Sequence, residues 1–102
     1  MTVDDYVLET LMPDLVGHDR HPSAFIVYLA LWRHAEGARD RTAVASLREL
    51  AESTGLSKRA VQGGLAKLVR RKLVLVDRAS ITAVPSYTVL RPWAQRRATR
   101  AG

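Results

Sequence analysis

Residues 46–68, SLRELAESTGLSKRAVQGGLAKL, decide how this chain folds. Ser46 followed three residues later by Glu49 has the spacing of a capping box, so a helix starts at Leu47. Leu47, Leu50 and Ala51 give that helix one apolar side, and Gly55 stops it where a tight turn favours a positive φ. Only Gly55 and Leu56 separate it from Ser57, a second N-capping residue. Val61, Leu65 and Leu68 then recur at i, i+4 and i+7, which commits one face of the second helix to a core. Ala51 is small where two crossing helices approach, and Leu56 plugs the space between them. The stretch reads as two short helices joined by a tight turn.

Working outward, Pro22 and Ser23 open a preceding helix with an apolar stripe of Phe25, Ile26, Leu29, Leu31, Trp32 and Ala35, closed by Gly37. A charged loop leads to a short strand over Thr42–Ala45. On the other side, Arg70, Arg71 and Lys72 suit the negative end of a helix dipole. Leu73–Val76 and Tyr87–Leu90 are β-rich runs joined by a long loop containing Pro85, the pattern of a hairpin. At the N-terminus, Tyr6, Val7, Leu11, Met12, Leu15 and Val16 form an amphipathic stretch. Pro13 disfavours a helical Met12, so two partial turns replace one helix there. The organisation predicted is an N-terminal amphipathic extension over 1–21, a domain over 22–93 and a basic flexible tail over 94–102.

A chain of 102 residues, 47% apolar, suits one folded domain. It has no cysteine, hence neither a disulfide framework nor a thiolate nucleophile. No apolar run approaches membrane-spanning length, and Asp4 and Asp5 stand where a secretory signal would be basic, so a cytoplasmic location is expected. The charge is unevenly placed. Residues 1–56 carry nine acids against five arginines, and residues 57–102 carry eleven bases against one acid, Asp77. A half-chain this basic attracts polyanions.

The 46–68 stretch resembles a helix-turn-helix. With the helix before it and the hairpin after it, residues 22–90 are similar to small bacterial winged-helix domains of the transcription-regulator and plasmid-replication type. The string Val27–Ala35 and the ending Tyr87–Trp93 extend the likeness. The resemblance implies a mainly helical winged helix, with a three-helix core plus a small β-hairpin wing. It further implies binding to double-stranded DNA, with sequence-specific transcription regulation as the function. A plasmid replication or maintenance factor and a winged-helix protein-interaction module are the alternatives.

On a helical wheel, the side of the second motif helix opposite Val61, Leu65 and Leu68 presents Arg59, Gly63, Ala66 and Arg70, flanked by Gln62 and Lys67. Arg59, Gln62 and Gly63 are the expected base-reading positions, because Arg and Gln form paired hydrogen bonds to purine edges in a major groove. Ser57, Lys58, Lys67, Arg70 and Arg71 are expected to meet phosphates. Arg78, Ser80 and Thr82 occupy the wing, where arginine suits a narrow minor groove. Gly64 is expected to admit the helix that starts at Leu47 closely, and Gly63 to remove a reader or let the backbone approach DNA.

No nucleophile elbow, phosphate loop or zincin string occurs, so no catalysis and no cofactor are expected. His18, Asp19 and His21 make a poor zinc site, and no metal is expected. Trp32 and Trp93 read as packing residues. A domain of this size leaves little room for an effector pocket. One winged helix contacts a short half-site, so a nucleoid-associated homodimer through Tyr6–Val16 is expected. The other reading packs Leu8, Leu11 and Leu15 on the domain's own first helix.

Overall fold

Ser46 and Glu49 bond reciprocally, as their spacing predicts: the Glu49 N–H donates to Ser46 Oγ at 3.1 Å and the Ser46 N–H to Glu49 Oε1 at 3.0 Å. The computed structural model describes residues 1–38, 40–78 and 83–94. Its elements are α1 (Pro22–Ala35), β1 (Thr42–Val44), α2 (Leu47–Thr54), α3 (Lys58–Arg70), β2 (Val74–Asp77) and β3 (Ser86–Val89), preceded by two π-helical stretches, Val7–Leu11 and Pro13–His18. The order is helix, strand, helix-turn-helix and hairpin, which is a winged helix.

The turn between α2 and α3 uses Gly55 at φ +80°, a conformation other residues adopt only with strain. Ser57 caps α3 by accepting the Ala60 N–H at 3.1 Å. At its far end α3 stops without a glycine. Lys72 takes the left-handed conformation, φ +58°, while its N–H donates to the Val69 carbonyl and that of Leu73 to the Leu68 carbonyl. That pair of bonds is a Schellman closure, and it hands the chain directly to β2.

The strands form an antiparallel sheet in the order β1–β3–β2. Leu75 pairs with Thr88 and Val76 with Tyr87, while Thr42 pairs with Thr88 from the other side. The short strand expected over Thr42–Ala45 thus completes the wing's sheet. Alternation puts Ala43, Val74, Tyr87 and Val89 on the buried face. The core joins them to Val27, Tyr28 and Leu31 of α1, Leu50 of α2, and Val61, Leu65 and Leu68 of α3. Tyr28 keeps its hydroxyl satisfied by donating to the Leu90 carbonyl at 2.9 Å.

The N-terminal stretch is part of this core. Val7, Leu11 and Leu15, at four-residue spacing, are all buried and belong to the same cluster. Pro13 lacks an N–H, and its ring would strike the carbonyl one α-turn back, so the chain winds wider there. The Met12 N–H reaches Val7 O and the Asp19 N–H reaches Asp14 O, both five residues back. Tyr6 stacks on Trp93 with centroids 4.5 Å apart, and Trp93 Nε1 donates to Asp4 Oδ2 at 2.9 Å. Trp32 is likewise buried, donating to the Thr2 carbonyl at 2.9 Å. Both tryptophans are packing residues.

Candidate nucleic-acid interface

Three buried residues of α3 settle which side faces out. Val61, Leu65 and Leu68 point into the core, and the solvent side is Lys58, Arg59, Gln62, Ala66, Val69 and Arg70. This stripe contains three cations, one amide and no acid. Among the described residues, Lys58, Arg59 and Arg70 enter no ion pair. Lys72, just past the helix, and Arg78, just past β2, are exposed cations at the same end of the chain. Ser80 and Thr82 lie outside the described residues.

The edge of α3 toward the N-terminus differs from the wheel. Gly63, Lys67 and Arg71, spaced by four, are half-buried against the segment that ends the π-helical stretch and enters α1. Lys67 Nζ lies 3.4 Å from Asp19 Oδ2, and Arg71 donates to Asp19 Oδ2 at 2.7 Å and to Asp14 Oδ2. The two acids share a face because the wide winding brings residues five apart into line. Only 24% of the Lys67 side chain and 33% of the Arg71 side chain remain exposed. Two of the cations that the sequence assigns to phosphates are therefore neutralised within the protein. The hydrogen bond from His18 and the charges of Arg71 and Lys67 hold the Asp19 carboxyl below its usual range. Arg71 is pushed further up, first by its bond to Asp14.

Gly64 does admit a close neighbour, but that neighbour is α1 rather than α2. A Cβ at Gly64 would lie 3.1 Å from the Ser23 carbonyl oxygen and 3.2 Å from both Ala24 Cα and Val27 Cγ2. At Gly63 an added Cβ would meet His21 Nε2 alone, at 3.8 Å.

Asp14, His18 and Asp19 bring ligand atoms within 4.8 Å of one another, but Arg71 and Lys67 already hold these carboxylates. A metal would have to displace a guanidinium. A cleft of about 520 Å³ is lined by Thr2, Asp4, Trp32, Glu36 and Arg41 among others, with no residue of α3 in its wall. It is larger than the chain length suggests, and residues 2 and 4 form one of its walls. Its polar groups are partnered: Thr2 N–H donates to Glu36, Arg91 approaches Asp4, and Arg41 stacks over Trp32 at 5.1 Å. No helix among the described residues is long and apolar enough to cross a membrane.

A capped helix-turn-helix, an acid-free outer face on its second helix and an adjoining antiparallel sheet define a small winged-helix DNA-binding domain. The chain belongs to the helix-turn-helix domain family, whose model matches residues 21–74, more than half of its length. Among solved structures it is similar to a mutant of Lactococcus lactis ZitR in the apo form, with 21% identity and a TM-score of 0.49, over 99% of this chain and 74% of that one. Comparison with curated proteins finds no match.

Sequence reasoning missed Asp14 and Asp19 as partners of α3. Their signal was faint: two acids at a five-residue spacing, separated by Leu15, Val16, Gly17 and His18, which an α-helix would turn to different sides.

Proposed function

We propose that this domain binds double-stranded DNA sequence-specifically and acts as a non-catalytic transcription regulator, by occupying its site. The observation that carries this reading is the acid-free outer stripe of α3. Arg59 and Gln62 supply the base contacts, with the backbone at Gly63 able to approach the groove floor. Ser57, Lys58 and Arg70 meet phosphates, and Arg78, Ser80 and Thr82 form the wing's contact. Lys67 and Arg71 reach phosphate only by exchanging their internal carboxylates. Such a protein acts on the nucleoid in the cytoplasm.

A lone α3 offers only two long readers, which favours a two-fold assembly on an inverted repeat. The inner row of the N-terminal segment serves the core. Its outer row, Leu8, Met12 and Val16, is exposed at four-residue spacing and is the surface we assign to a second copy. Selection from a random duplex pool tests both parts. The expected logo is an inverted repeat, and Arg59→Ala is expected to relax one position per half-site by about 1–3 kcal/mol. A flat logo refutes base readout. Equal affinity for single and repeated sites, with a monomeric mass in light scattering, refutes the dimer.

A further inference from the structure

We infer that His21 is a DNA-contacting residue of this domain, presenting beside α3 the polar group that α3 lacks at Gly63. The inference rests on the DNA-binding reading above and adds a residue from outside the helix-turn-helix. Gly63 sits within reach of the outer stripe, one residue beyond Gln62 and four beyond Arg59. Its missing side chain leaves a shallow depression whose one neighbour within 4 Å of a would-be Cβ is His21 Nε2, at 3.8 Å.

The imidazole has no visible structural task. His21 precedes α1 as its N-cap residue, yet its side chain makes no capping hydrogen bond. Nor does its ring enter a hydrogen bond or ion pair among the described residues, whereas His18 in the same segment bonds Asp19. The ring is half-buried against α3, so it is placed rather than loose. That placement is fixed from below: α1 packs on Gly64 so closely that an added Cβ would press on Ser23 O, Ala24 Cα and Val27 Cγ2 at 3.1–3.2 Å, which holds the first turn of α1 to this point of α3. A neutral imidazole offers one N–H donor and one acceptor, and the charged form two donors, so it suits either a phosphate oxygen or a purine edge. Its neighbour Arg20 is an exposed cation with φ +53°.

The test uses the full chain on its selected duplex, comparing wild type, His21→Ala and His21→Gln by anisotropy titration and by chemical interference footprinting. His21→Ala is expected to weaken binding by roughly 5- to 20-fold, the scale of one good polar contact to DNA. One nucleotide's interference signal per half-site disappears while those assigned to Arg59 persist. His21→Gln, which keeps a donor and an acceptor, is expected to restore most of the affinity. A thermal midpoint unchanged in both variants separates contact from folding. Wild-type binding with an identical footprint in His21→Ala overturns this inference alone. A wild type that binds no duplex overturns it together with the function it rests on. Should His21→Ala unfold, His21→Leu, which fills the space without a donor or an acceptor, takes its place: a folded His21→Leu protein that loses the nucleotide's signal and binds more weakly supports the assignment, and one with the wild-type footprint and affinity refutes it.

Discussion

Replacing Asp14 and Asp19 together by asparagine is expected to make this protein bind DNA more tightly and with a steeper salt dependence. Asparagine keeps the shape and accepts hydrogen bonds but removes the two charges that Arg71 and Lys67 now face at 2.7 and 3.4 Å from Asp19. In the wild type, Lys58, Arg59 and Arg70 of α3, Lys72 at its exit and Arg78 after β2 have no carboxylate partner among the described residues. On a random duplex, where Arg59 has no chosen base and meets phosphate instead, five phosphate contacts give a slope of log affinity against log salt of about −4.5, at about −0.9 per contact. Freeing Lys67 and Arg71 adds two, steepening the slope by about 1.8. Between 50 and 200 mM salt, that difference multiplies the loss of affinity by roughly ten, so the variant's advantage is largest at low salt. The assay is a salt series of anisotropy titrations on a random duplex, which keeps base contacts out of the measurement. Adding Lys67→Ala to the double variant is expected to return about half of the change. Parallel lines for wild type and variant refute the reasoning, since Lys67 and Arg71 would then lie off the phosphate track whatever their partners.

Other outcomes follow from packing and titration. Gly64→Ala is expected to destabilise by about 1 kcal/mol in urea unfolding, because overpacking against the α1 backbone outweighs the helix-propensity gain, whereas Gly63→Ala gains about 0.5–1 kcal/mol. Tyr28→Phe is expected to cost about 1 kcal/mol by leaving the Leu90 carbonyl without its donor. Burial, with Asp4 adding to it, pushes the Tyr28 phenol well up, so this bond persists through alkaline conditions. Asp19 and Glu49 both have lowered carboxyl pKa values, Asp19 first through His18 and Glu49 first through the Ser46 N–H. Groups depressed on folding stabilise above their unfolded values and lose that contribution as pH falls through the folded ones. The thermal midpoint is therefore expected to hold from pH 7 to about 5 and to drop below about pH 4, with Glu49→Gln closing its gap to wild type in acid.

The helix-turn-helix was legible because each of its joints is local. Ser46 with Glu49, Gly55 and Ser57 each act within four residues, and the i, i+4, i+7 row of α3 depends on nothing outside the helix. The partner of Gly64 was not legible, because a glycine in a helix announces a close approach without naming what approaches. The Schellman closure at Lys72 was also hidden, since its usual marker is a glycine and a lysine takes the left-handed position here. For the N-terminal segment, periodicity showed an apolar face, but its winding depends on how Pro13 is accommodated. That winding decides where Asp14 and Asp19 point, and so which cations of α3 stay available. Helical wheels drawn on one element treat solvent as the default neighbour of a charge. Lys67 and Arg71 break that default.

The uneven charge of the chain takes on a different meaning once folded. In sequence, an acidic half precedes a basic half, which suggests two opposed regions. In space the acids fold back onto chosen bases: Asp4 onto Arg91, Asp14 and Asp19 onto Arg71 and Lys67. Pairing of this kind on a part-exposed surface contributes little to stability, but it changes where the positive field emerges. Among the described bases of residues 57–102, what it leaves without an acid is the outer stripe of α3, Lys72 at its exit and Arg78 at the wing. For the eight described bases of that half, an attraction spread along the sequence becomes one concentrated on α3, its exit and the wing. The same N-terminal segment that enlarges a small core through Val7, Leu11 and Leu15 thus shapes the field with its polar side. Deleting it would remove core and mask together, which is why point substitutions at Asp14 and Asp19 isolate the electrostatic role.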